Sequence, residues 1–198
     1  MALFVALLLI SNIAATKLLE IGPFVVDGGA ILFPFIYIIG DVLAEVYGLK
    51  AAKRAILTSL AVSILAALTF LTVQALPGAP EYANQAAFEA VLGFVPHIVI
   101  ASLAAFLFGQ FINAYVLVKI KEKWGEKNLW ARLIGSTIAG QLVDTIVFCT
   151  IAFYGTLTGW AFVNYVVVGV VYKVAMEIIL LPITYRVIAI IKRHEAEA

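Results

Sequence analysis

Six long apolar stretches, each bounded by Gly, Pro or charge, constrain this chain more than any other feature. A bilayer core takes about 20 apolar residues per helix, and stretches of that length have no stable place on a water-soluble surface. They run over residues 2–21, 30–47, 55–76, 91–118, 131–154 and 160–191. The fourth and sixth exceed a minimal span, which predicts tilt or a projecting end. Composition agrees: 64% of the 198 residues are hydrophobic and 13% are charged, against about 25% charged in soluble domains. Continuous runs rather than period-two alternation exclude a β-barrel. The expected fold class is therefore all-α: a polytopic membrane protein, one domain over residues 1–198, built as a bundle of six transmembrane helices. The first run ends in "SNIAAT", which mimics a cleavage site, but it lacks a positive leader and reads as a span.

Lys50, Lys53, Arg54, Lys119, Lys121, Lys123, Lys127, Arg132, Arg186, Lys192 and Arg193 all fall at alternate connections or at the C-terminal end. Cytoplasmic loops collect Lys and Arg, so both termini are expected in the cytoplasm. Thirteen basic against twelve acidic residues leave no basic surface for nucleic acid. A single cysteine and two distant histidines build neither a disulfide nor a metal site, and no nucleotide-binding loop is present. No cofactor is implied. The chain does not read as an enzyme; Asp41 and Asp144 on two helices would permit an intramembrane aspartyl protease, but the crowding amides suit a binding pocket better.

Lys17, Asp41, Glu45, Asp144, Lys173 and Glu177 lie within the apolar runs. At the bilayer centre each would cost about 2.5–3.5 kcal/mol facing lipid, roughly 15–21 kcal/mol together. They are expected to face inward, either as salt bridges that fix the bundle or around a polar chamber. Pro34, Tyr37, Asp41, Glu45 and Gly48 recur at three- and four-residue steps, which predicts one face of the second helix, with Pro34 and Gly40 allowing local unwinding. Arg132, Ser136, Gly140 and Asp144 are spaced by four in the fifth run, with Thr137 and Gln141 alongside. Ser102, Phe106, Gln110 and Asn113 form a similar strip in the fourth. Asn12, Thr16 and Glu20 share a face in the first, with Lys17 beside them. Lys173 and Glu177, one turn apart, can neutralise each other. Asp41 and Asp144, each in the second span of its half, hint at an inverted repeat.

Carboxylates, carboxamides and aromatics together suit a flat, polar heterocycle, because a carboxylate accepts two parallel N–H bonds from a guanine-like edge while amides read carbonyl and ring nitrogen. Gly and Ala at span positions are equally compatible with intrachain packing and with a homodimer.

The segment "ILFPFIYIIGDVLAEVYGLKAAKRAI", with its D-x-x-x-E-x-Y-G element at Asp41, Glu45, Tyr47 and Gly48, resembles the signature of the queuosine precursor transporter family, also called the vitamin uptake transporter family. "SNIAATK", "ARLIGSTIAGQLVDTIVFCTIAFYG" and "YKVAMEIILLPITY" are similar to it as well, so the likeness runs from about residue 11 to 192. The resemblance implies a six-helix inner-membrane importer of 7-cyano-7-deazaguanine and 7-aminomethyl-7-deazaguanine, with queuine for some relatives, working by alternating access. It implies a deazapurine substrate and the lipid bilayer as partners. The polar positions carried over are Asn12, Glu45, Gln110, Asn113, Gln141 and Asp144 for substrate, and Lys17, Asp41, Arg132, Lys173 and Glu177 for charge pairing or gating. Asp144 or Glu45 is expected at the guanine edge with Gln141, Gln110 and Asn12 as amide partners, and Asp41 with Lys17 as a pair that rearranges on opening. Two alternatives stand beside this reading: the substrate-capture subunit of an energy-coupling-factor vitamin importer, and a structural membrane protein.

Overall fold

Apolar residues that favour helix run uninterrupted between the Gly and Pro breaks, and helix satisfies every backbone polar group within its own segment, as lipid requires. The chain accordingly forms α1 (Ala2–Ala14), α2 (Phe33–Val46), α3 (Gly48–Ala75), α4 (Gln85–Leu92), α5 (Val95–Trp124), α6 (Leu129–Ala152) and α7 (Gly159–Glu197). Between α1 and α2 lie two short strands, β1 (Leu18–Ile21) and β2 (Phe24–Asp27), paired as a hairpin, and a 3-10 turn at Gly28–Ile31. The computed structural model describes residues 1–124, 129–153 and 155–197, and the side chains of Tyr37, Asp41, Glu45, Gln110 and Arg132 lie outside the described ones.

Four helical segments among the described residues are long and apolar enough to cross a bilayer: Lys50–Ala75, Gln85–Asn113, Gly135–Ala152 and Gly159–Arg193. This is an α-helical, multi-pass membrane protein. α1 and α2 hold 13 and 14 residues, which at 1.5 Å per residue reach only about 20 Å of a hydrocarbon core about 30 Å thick.

Several sequence expectations are corrected here. The first apolar run does not stay helical to residue 21: α1 stops at Ala14, Lys17 lies in the bend that follows, and Glu20 lies in β1. The physical reason lies downstream, where Gly22 takes φ +60° in the turn and Gly28 N–H donates to Lys17 O at 2.9 Å, so the chain after Ala14 is recruited as a strand. Asn12, Thr16 and Glu20 therefore share no helix face. Pro34 does not unwind the helix; it occupies the first turn of α2, where its missing N–H has no intrahelical partner to lose. Gly48 is not on the α2 face either, because α2 ends at Val46 and Gly48, at φ +81°, redirects the chain into α3. The segment "GLKAAKR", read as a break, is the first turns of α3. The stretch "PGAPEYANQAAFEA" holds most of α4 rather than loop alone.

The chain divides into two compact units. The first comprises Met1–Leu19, Asp27–Val99 and Ala175 onward. Its core joins Phe4, Ile36, Leu43 and Ala55, with Leu7, Leu8, Phe33 and Ile39 packed against them. A second cluster joins Ala67, Val95 and Val99 with Ile13, Phe70 and Leu92. α3 packs small and polar residues inward while large ones face out: Ala55, Ser59 and Ser63 are 1%, 1% and 2% exposed, whereas Leu57 and Leu65 are 63% and 64% exposed. That inverts the soluble arrangement and suits a lipid solvent. The Asp27 carboxylate accepts from Gly29 N at 2.8 Å, and Ser11 Oγ donates to Gly29 O at 3.2 Å.

The second unit comprises Glu20–Val26 and Ile100–Val174. Asn164 of α7 holds the hairpin, accepting from Val25 N at 3.0 Å and donating to Pro23 O at 2.8 Å. Phe153 meets Tyr165 edge-on at 5.3 Å and Phe148 at 6.0 Å.

A Cβ on Gly28 would lie 2.5 Å from Ala14 O, a backbone atom that cannot swing aside. Gly28→Ala is expected to destabilise by about 1–3 kcal/mol, the usual penalty of overpacking, read as a lower midpoint in thermal unfolding of detergent-solubilised protein. Gly22→Ala strains only φ and should lose less.

Candidate functional site

α5 and α6 approach each other at Gly109 and Gly140. A Cβ on Gly109 would stand 2.9 Å from Asp144 Cβ and 3.1 Å from Gly140 O; one on Gly140 would stand 2.8 Å from Asn113 Cβ and 3.0 Å from Gly109 O. The contact is reciprocal. Each helix contributes a Gly and, four residues on, a polar residue, so Gly109 lies opposite Asp144 and Gly140 opposite Asn113. Only glycine permits backbones so close, and the closeness delivers Asn113 and Asp144 to one crossing, about one helical turn apart.

α7 completes the cluster. Lys173 Nζ donates to Asp144 Oδ2 at 2.5 Å, with the side chains 11% and 26% exposed. Charge-assisted bonds of this kind are short and strong, and in apolar surroundings neither charge is tolerable alone. Lys173 sits in the apolar stretch "VVVGVVYKVAM", where an unpaired ammonium would be costly. Asp144 Oδ1 accepts no hydrogen bond from a described residue. Asn113 Oδ1 is buried without a hydrogen-bond partner among the described residues. A buried carbonyl oxygen left unsatisfied costs about 1–3 kcal/mol, so this atom is poised to accept an N–H. Thr145 Oγ1, next to Asp144, is also buried without a hydrogen-bond partner among the described residues.

The sequence-derived site residues thus fall into three groups. Asn113, Asp144 and Lys173 are brought together in the second unit, with Gln141 half-buried about one turn before Asp144 on α6. The strip of Ser136, Gly140 and Asp144 is inward as its spacing predicts, with Ser136 and Gly140 buried; Phe106, read as part of the α5 strip, is exposed instead. In the first unit, Asn12 is buried on α1 and donates to Ser63 Oγ of α3 at 3.3 Å, Glu177 is half-buried on α7, and Lys17 is exposed beyond the end of α1 rather than on a helix face. Asp41, Glu45, Gln110 and Arg132 lie outside the described side chains. Asp144 pairs with Lys173 across helices, a partnership that spacing along one helix does not reveal. Thr145 was missed because a lone Thr in an apolar helix carries no distinguishing pattern. Among the described residues no group of three His, Cys, Asp or Glu could hold a metal ion.

Residues 27–187 match the family described as "Putative vitamin uptake transporter". The chain is 32% identical over 178 residues to the "Probable queuosine precursor transporter" of Bacillus subtilis (strain 168), covering 88% of this chain and 77% of that protein. It is 29% identical over 126 residues to the "Queuosine precursor transporter" of Escherichia coli (strain K12), covering 64% of this chain and 54% of that one. Against the "Probable queuosine precursor transporter" of Haemophilus influenzae it is 26% identical over 126 residues, covering 64% and 51%. The matched part thus spans about half the length of the latter two relatives. No solved structure matches the chain.

Lys173→Met strands the Asp144 carboxylate. Breaking a fully buried pair costs about 3–5 kcal/mol, and the loss here should be smaller because Asp144 keeps 26% exposure. Adding Asp144→Asn removes the stranded charge, so the double variant is expected to melt above the single Lys173→Met protein. Gly140→Ala should lower the melting midpoint by forcing Asn113 away. Gly135→Ala is the control: its Cβ meets only the flexible Ile120 Cδ1 at 3.4 Å and should be tolerated.

Proposed function

The chain belongs to the vitamin uptake transporter family, and on that premise we propose that it imports queuosine precursors, 7-cyano-7-deazaguanine and 7-aminomethyl-7-deazaguanine, through the inner membrane. The observation that carries this reading is the 32% identity over 178 residues to a protein named as a queuosine precursor transporter. The chemistry of the second unit supports it. A lysine, a carboxylate and two carboxamide residues on α5, α6 and α7 supply the donors and acceptors that a donor-rich heterocycle needs inside a greasy bundle.

In this reading α1 and α2 join the four longer segments to make six spans of one transmembrane domain, with both termini cytoplasmic as the Lys and Arg distribution favours. Transport proceeds by alternating access, in which the substrate is exposed to one side and then the other. Asn12, Glu45, Gln110, Asn113, Gln141 and Asp144 are assigned to substrate contact in this reading, and Lys17, Asp41, Arg132, Lys173 and Glu177 to the charge pairing that changes during transport. The chain performs no chemistry on its cargo.

Purified chain in sealed proteoliposomes is expected to accumulate labelled 7-cyano-7-deazaguanine in a saturable way without ATP. Binding without accumulation would instead identify a capture subunit that needs partner ATPases, and neither binding nor uptake would end the proposal. Stimulation by an imposed pH gradient would show proton coupling; equal uptake without one would show facilitated diffusion.

A further inference from the structure

We infer that the Asp144–Lys173 pair is a preformed template for the guanine edge of the substrate, with Lys173 reading the 6-oxo group and Asp144 the ring N–H and 2-amino group. The inference rests on the transport reading above and assigns Lys173 a role beyond neutralising a charge: it becomes a specificity-determining contact.

A guanine-type edge presents, in order, one acceptor and two donors: the 6-oxo oxygen, N1–H and the exocyclic amino group. The ion pair presents the complement in the same order. Lys173 Nζ is a donor, and it stands 2.5 Å from Asp144 Oδ2, the first acceptor, with Oδ1 the second. Binding does not require the pair to part. An ammonium has three N–H donors, more than the bond to Asp144 requires, and a carboxylate has about four lone-pair positions. Asp144 Oδ1, which accepts from no described residue, takes the 2-amino N–H, and Oδ2 shares its remaining lone pair with N1–H. Asn113 Oδ1 on the facing helix is one more buried acceptor that lacks a donor.

Charge bookkeeping favours such a guest. The pair is neutral as a whole, so an uncharged guanine edge adds hydrogen bonds to both charges without leaving an uncompensated one beside them, whereas a carboxylate or ammonium placed at that edge would. The geometry also predicts which purines are rejected. An adenine-type edge places an amino group against the Lys173 ammonium, donor against donor. A hypoxanthine-type edge keeps the lysine contact but leaves Asp144 Oδ1 unmatched.

The test uses the full chain in detergent and three ligands: 7-cyano-7-deazaguanine, its analogue without the 2-amino group, and its analogue with a 6-amino in place of the 6-oxo group. Bonds to charged groups imply that the wild-type chain favours the first over each analogue by roughly ten- to a hundredfold in Kd. In Lys173→Gln the preference over the 6-amino analogue is expected to fall by about tenfold, the rest being kept by its N1, a bare acceptor facing Asp144, while the preference over the analogue lacking the 2-amino group persists. In Asp144→Asn the preference over the analogue lacking the 2-amino group is expected to shrink to a few-fold, and the preference over the 6-amino analogue to fall only in part, because Lys173 still opposes the 6-amino group. Each comparison is a ratio within one variant, so a general loss of folded protein cancels, and a purely structural ion pair would leave both ratios unchanged. Unchanged ratios in the two variants overturn the template while leaving the transport reading standing. A wild-type chain that binds none of the three ligands overturns both.

Discussion

An ammonium and a carboxylate survive among apolar helices only by finding each other, and much of the second unit follows from that requirement. Lys173 leaves α7 in the middle of a valine-rich stretch, and Asp144 leaves α6 one residue from buried Thr145. To meet at 2.5 Å the two helices must hold a fixed rotation and depth relative to one another. Sliding either by one residue turns a charge toward lipid. The pair thus acts as a register pin as well as a polar centre, a role that buried polar residues also play in coiled coils.

The second constraint is spatial. Lipid gives helices no hydrophobic incentive to associate, so close packing must do that work, and glycine is the residue that permits it. At the α5–α6 crossing the two glycines face the polar residues of the opposite helix rather than apolar ones. The same approach that joins the helices therefore gathers Asn113 and Asp144. In α3 the arrangement is repeated more mildly with Ala55, Ser59, Ser63 and Ala67 turned inward and leucines outward.

How much of this can be read from the chain varies by element. The long apolar helices are legible because length and hydropathy are one-dimensional properties, and the inward strip of Ser136, Gly140 and Asp144 because a four-residue step is local geometry. The lysine partner of Asp144 is not, since a spacing rule sees Glu177 one turn from Lys173 but cannot see another helix. The hairpin is also hidden. "LLEI" is as apolar as the helix before it, and only the tertiary bonds of Gly28 to Lys17 and of Asn164 to the strand beyond the turn decide that it extends. Pro34 illustrates the same limit, because whether a proline kinks or begins a helix depends on a boundary that sequence places only within a few residues.

Asn164 grips the hairpin through main-chain atoms alone, the carbonyl of Pro23 and the amide of Val25. Side chains along that ribbon, including the outward Ile21 and Phe24, are not part of the grip. Evolution can therefore redecorate the ribbon without loosening its tether, and a single carboxamide on α7 confers a fixed attachment on a segment whose outer chemistry is left free to diverge.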